Sequence, residues 1–129
     1  YCVERAGKIL NRFRKSLNGS RVLVLGVAYK QDIDDYRESP ALRVIEELEK
    51  TGADVIYYDP WVRQYRFKGQ ERVSEPELTA ELIESADLVM ITAAHTNVDY
   101  KLVQRHAKAV FDTKNVMKNI ENRENIEVL

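Results

Sequence analysis

The segment Arg21-Val-Leu-Val-Leu-Gly26 constrains this chain more than any other. A strand with one face in water alternates apolar and polar side chains. Here no polar residue interrupts Val22 to Leu25, and the apolar run continues to Ala28. Such a strand must be covered on both faces, which is the condition of a strand inside a parallel sheet. A parallel neighbour needs a crossover, and the chain supplies one. Ser39-Pro40 can serve as N-cap and first helical residue. Leu42, Ile45 and Leu48 mark a buried stripe at helical spacing, and Gly52 closes the helix. Asp54-Val-Ile-Tyr-Tyr-Asp59 is then a second strand, ended by Pro60. The result is a βαβ unit, whose crossover is right-handed in nearly all cases.

The remaining segments extend this pattern. Val3, Ala6, Ile9, Leu10, Phe13 and Leu17 recur at three- and four-residue intervals, which predicts a helix stopped by Asn18-Gly19. Residues 60–73 read as irregular. Ser74-Glu-Pro-Glu77 fits the capping-box pattern and predicts a helix carrying Leu78, Leu82 and Ile83 to about Ala86. Asp87–Thr92 reads as a third strand and Ala109–Asp112 as a fourth, with Leu102, Val103 and His106 on a short helix between them. Ile126–Leu129 could add an edge strand. Strands alternating with helices predict an α/β fold, a doubly wound and mostly parallel sheet with helices on both faces. Ligands are then expected beyond the strands' carboxyl ends.

Composition limits the function. The 129 residues are one domain's worth, and 44% hydrophobic with 32% charged residues is the balance of a soluble globular protein. Twenty Lys and Arg against twenty-one acids argue against a domain that coats nucleic acid. No apolar run approaches the roughly 20 residues needed to span a bilayer. The lone Cys2 can form neither an internal disulfide nor a multi-Cys zinc site, and fits a reducing cytoplasm. Charge is uneven: the first thirty residues carry seven basic side chains and one acid. A basic helix can be a membrane-surface or RNA-binding arm, but is more often a solvated face or a linker helix. Tyr1 is preceded by no Met and begins no signal peptide, so the chain is expected to start inside a longer protein.

The first βα connection, residues 26–40, is where such folds hold phosphate. It contains only Gly26, not the glycines of a dinucleotide fingerprint, and runs about a dozen residues before the helix. It offers Lys30 and Arg37 amid Asp32, Asp34, Asp35 and Glu38. Lys acts on phosphate as a point charge and Arg as a bidentate fork; equally, both could neutralise the neighbouring acids. A long, highly specified loop at the functional edge favours binding. The acids lack the glycine and spacing of a calcium loop, and no metal site is assigned. Asp59 stands where a dinucleotide fold places its ribose-binding acid, but without a glycine fingerprint a turn role suits this Asp-Pro better. For His95, bonding to the loop backbone is set against a ligand contact.

The same residues carry a resemblance. Val24-Leu-Gly-Val-Ala-Tyr-Lys30, Asp35-Tyr-Arg-Glu-Ser-Pro-Ala41 and Tyr58-Asp-Pro60 closely resemble the C-terminal, UDP-binding domain of the UDP-glucose/GDP-mannose dehydrogenase family. The likeness continues through Ser85-Ala-Asp87, His95 and Phe111-Asp-Thr-Lys-Asn115, and covers essentially the whole chain. Residues 1–19 resemble the end of the long linker helix entering this domain, and residues 20–129 the Rossmann-like domain itself. The wording of the long loop is most similar to the UDP-N-acetylhexosamine (GlcNAc/ManNAc) 6-dehydrogenases.

What the resemblance implies is an NAD-dependent oxidation of a sugar C6 alcohol to a carboxylate. It proceeds by two hydride transfers, through a thiohemiacetal and a thioester on a cysteine. That cysteine belongs to family segments upstream, and Cys2 does not sit in its motif, so no catalytic residue is assigned. Position by position, Tyr29 and Lys30 match contacts to the UDP of the substrate, and Arg37 matches a contact to NAD. Lys114 falls where many relatives have a substrate-contacting Arg; it keeps the charge and loses the planar fork. The implied partners are a UDP-sugar, NAD and further copies of the full-length protein in a homo-oligomer, with neither nucleic acid nor membrane. The implied setting is cytoplasmic polysaccharide biosynthesis. An alternative is a non-catalytic nucleotide-binding or regulatory α/β module. A receiver-like signalling domain would want a phospho-acceptor Asp ending the third strand, where this chain has Thr92.

Overall fold

Both faces of the Arg21–Leu25 strand are covered, as its apolar run requires. The computed structural model of the chain describes residues 2–28, 39–121 and 123–128. Its elements are α1 (Cys2–Asn11), β1 (Arg21–Leu25), α2 (Pro40–Lys50), β2 (Asp54–Tyr58), β3 (Gln64–Phe67), β4 (Gln70–Val73), α3 (Ala80–Ser85), β5 (Leu88–Ile91), α4 (Tyr100–His106), β6 (Val110–Asp112) and β7 (Ile126–Val128). Five strands form one sheet in the order β2-β1-β5-β6-β7, every pair parallel. Alternation along the strands divides the core in two. Val22, Val24, Leu88, Met90 and Phe111 pack with α1 and α2, through residues such as Leu10, Leu42, Ile45 and Leu48. Leu23, Leu25, Val89, Ile91 and Val110 pack with Ile83 of α3 and Val103 of α4. The winding reverses between β1 and β5, and that reversal is the topological switch point.

Local chemistry fixes the α2 crossover. Ser39 Oγ accepts from the Ala41 amide at 3.3 Å, with Pro40 in the first turn. The helix closes at Gly52, where the Gly52 and Ala53 amides donate to Glu49 and Leu48 carbonyls at 3.0 and 3.2 Å. Gly52 supplies the left-handed φ of 93° that this closure demands.

Three segments depart from the sequence expectation. The first helix ends at Asn11, not at Asn18-Gly19. Arg14 takes the left-handed position (φ 60°), and the Arg14 and Lys15 amides donate to Asn11 and Leu10 carbonyls at 3.0 Å each. This is the closure seen at Gly52, made here by a non-glycine residue, and it leaves Phe13 half-exposed. Residues 60–73 are not irregular: β3 and β4 form an antiparallel hairpin across Lys68-Gly69, both with positive φ. The hairpin lies against α2, with Tyr65 buried and Arg72 paired to Glu49. Finally, Thr79 rather than Ser74 caps α3, accepting from the Leu82 amide at 3.1 Å. Among the described residues no helix is long and apolar enough to cross a membrane.

Candidate functional site

The carboxyl edge of the sheet is held together by glycine geometry and two buried acids. Gly26 follows β1 with φ of 91°, and a Cβ there would lie 2.5 Å from the Ala93 Cβ. The chain leaving β1 therefore rests directly on the chain leaving β5. The Thr92 amide donates to the Leu25 carbonyl at 2.9 Å, and its hydroxyl bonds the Gly26 carbonyl. On the far side of β5, Thr113 Oγ1 donates to the Ile91 carbonyl at 2.6 Å.

Asp59, at the end of β2, has no exposed surface. Its Oδ1 accepts from the Trp61 and Val62 amides at 2.7 and 2.9 Å, forming the turn expected of this Asp-Pro pair. Its Oδ2 accepts from the Val27 and Ala28 amides at 2.8 and 3.2 Å and lies 3.0 Å from His95 Nε2. Ser74, free of the capping role, accepts from the Asp59 amide at 3.0 Å. Burial alone would push this carboxyl up, but the bonds from His95, Val27 and Val62 outweigh it and hold its pKa below the ordinary range. At the end of β6, buried Asp112 accepts from the Lys114, Val116 and Met117 amides at 3.1, 3.2 and 2.9 Å.

Acid should therefore weaken the fold. Asp87, whose burial is outweighed by Lys15 and the Arg21 amide, and Glu127, held down by Arg12 and Arg5, join Asp59 below their ordinary values. A depressed carboxyl contributes stability that is complete above its unfolded pKa and is lost as pH falls through the folded one. The melting temperature should stay level from neutral to about pH 4, the ordinary carboxylate range, and fall below it. A melting temperature that rises on acidification through this range would contradict these assignments.

Of the site residues expected from sequence, Tyr29, Lys30 and Arg37 lie outside the described residues, as do Asp32, Asp34, Asp35 and Glu38. The residues flanking them meet at this edge, where Ser39 Oγ donates to the Ala28 carbonyl at 3.4 Å. The N-terminus of α2 opens there too, with the polarity that favours anions. Lys114 is exposed on the same edge, its backbone fixed by Asp112. Asp59 and His95 are both buried at the strand ends, joined to each other. In the sequence they stand 36 residues apart, and nothing links them until the strands are ordered. No group of three or more His, Cys, Asp or Glu among the described residues could hold a metal ion. A groove of about 340 Å³ lies elsewhere, on the flank of α2 beneath the hairpin.

Fold and edge together define a doubly wound α/β domain with its switch point between β1 and β5, where such folds take ligands, and without a dinucleotide glycine fingerprint. Residues 23–119 match the UDP binding domain of the UDP-glucose/GDP-mannose dehydrogenase family, and the chain belongs to that family. It is 31% identical over 125 residues to the UDP-N-acetyl-D-mannosamine dehydrogenase of Methanocaldococcus jannaschii, covering 91% of this chain and 26% of that protein. The UDP-D-ManNAc dehydrogenase structure from Pyrococcus horikoshii superposes with a TM-score of 0.74 at 25% identity, over 94% of this chain and 28% of that one. A UDP-N-acetyl-mannosamine dehydrogenase structure from S. aureus gives 0.69 at 31% identity, over 99% and 28%. The chain thus spans about a quarter of the length of these relatives.

Proposed function

We propose that this chain is the C-terminal, UDP-binding domain of an NAD-dependent UDP-sugar 6-dehydrogenase. Residues 1–19 would lead in from the upstream part and residues 20–129 would form the domain. The observation that carries the reading is the match of residues 23–119 to the family's UDP binding domain. It falls on a fold whose switch-point edge holds Ala28 and Ser39, the described residues on either side of the segment that includes Tyr29 and Lys30. Tyr29 supplies an aromatic surface, Lys30 offsets pyrophosphate charge, and Lys114 adds a second cation from the end of β6. A UDP-N-acetylhexosamine is the favoured substrate on the wording of the long loop; relatives over most of this chain's length are named both for UDP-N-acetylmannosamine and for UDP-glucose. The same reading carries with it a cytoplasmic, homo-oligomeric enzyme of polysaccharide biosynthesis.

Among the described residues, Asp59 is not available to hold an NAD ribose. Asp59, standing where a ribose-binding acid would be, has both oxygens committed to backbone amides and His95. In this reading NAD is bound mainly by the upstream part, with Arg37 contributing a contact. The chain alone should therefore bind UDP, one molecule per chain, in a calorimetric titration. Given UDP-N-acetylmannosamine and NAD it should form no NADH. Robust NADH formation by this chain would mean that the nucleophile has been misplaced, and absence of UDP binding would overturn the reading.

A further inference from the structure

We propose that the buried Asp59–His95 pair positions the nucleotide edge, fixing the direction in which the chain leaves β1 and its spacing from β5; the inference rests on reading that edge as a UDP site. Ending β2 with a turn requires only Oδ1 of Asp59, which the Trp61 and Val62 amides occupy. Oδ2 does something else. Beyond Gly26 the Val27 and Ala28 amides follow the end of β1, and Oδ2 takes both. His95, arriving from the opposite flank of β1 after β5, meets the same oxygen. One atom therefore joins the exits of β2, β1 and β5 at the switch point. The far side of the clamp is fixed in turn, because Tyr100 donates its hydroxyl to the His95 carbonyl at 2.7 Å. A buried carboxylate is costly unless fully bonded, so this arrangement tolerates little displacement. Neither side chain need touch the ligand; both act through the backbone at the strand exits.

The test compares Asp59→Asn, His95→Leu and His95→Gln in the 129-residue chain by calorimetric titration with UDP, each with a thermal melt. Asn presents an amide nitrogen to donors on one side, and Leu removes the His95 bond. Both variants should lose roughly tenfold or more in UDP affinity at temperatures where they remain folded. His95→Gln, whose amide can still donate, should recover most of that affinity, a rescue that loss of packing alone does not predict. On the unsubstituted chain, the NMR signals of the Val27 and Ala28 amides and the His95 ring should shift on UDP addition with the calorimetric affinity. That measurement decides the matter if the variants do not fold. Undiminished affinity in folded Asp59→Asn and His95→Leu, or unmoved signals while UDP binds, overturns the proposal and leaves the UDP reading intact. An unsubstituted chain that does not bind UDP overturns both.

Discussion

Gly26→Ala should destabilise the chain by about 2–5 kcal/mol, combining a left-handed residue without glycine and an overpacked contact. The φ of 91° is half of the reason. The other half is steric: the new methyl would meet Ala93 Cβ at 2.5 Å and the Ala93 backbone nitrogen at 3.0 Å, and neither can swing aside, since a Cβ moves only with its backbone. Two other glycines provide the scale. At Gly52 (φ 93°) the added Cβ would press on the Asn18 side chain, which is exposed and can rotate away, leaving a tight 3.3 Å approach to the Asn18 Cα. At Gly69 (φ 80°) nothing lies within 4 Å, so only the conformational cost of about 1–2 kcal/mol remains. Urea unfolding of the three Ala variants should rank the losses Gly26, then Gly52, then Gly69. A Gly26→Ala loss no larger than that of Gly69→Ala would show that β1 and β5 do not meet as described.

That contact also marks where sequence reading stops. The β1 strand and the α2 crossover were legible because their signals are local: an unbroken apolar run, a Ser-Pro start, a helical stripe and a glycine stop. The end of α1 was not, because the closing left-handed residue is Arg14, and nothing about an arginine announces that role. The hairpin was missed although Lys68-Gly69 sits between segments holding Tyr65, Phe67 and Val73. Its strands are four residues each and mostly polar on the exposed face, so alternation was too short to register. Ser74 carried a correct capping pattern, yet Asp59 recruits its hydroxyl, a tertiary demand that overrides a local one. The site divides in the same way. Lys30 and Arg37 stand out in the first connection by type and position, and Lys114 by resemblance to the family; their roles as site residues are proposals. The Asp59–His95 union does not stand out, since it exists only once β2 and β5 are placed on opposite sides of β1.

Lys30→Met should reduce affinity for UDP and for a UDP-sugar together by about tenfold or more, the consequence of losing one charge-assisted bond to phosphate. Methionine keeps much of the lysine stem and removes the charge. Stability should hardly change, since ordinary surface ion pairs contribute about 1 kcal/mol or less. Calorimetric titration of UDP into the unsubstituted and Lys30→Met chains, with thermal melts as the folding control, tests the central claim most directly. The account predicts saturable binding to the first, a loss of about tenfold or more in the second, and closely similar melting temperatures. Equal UDP affinity in two equally folded proteins would contradict it, and would leave Lys30 as a counter-ion for Asp32 and Asp34.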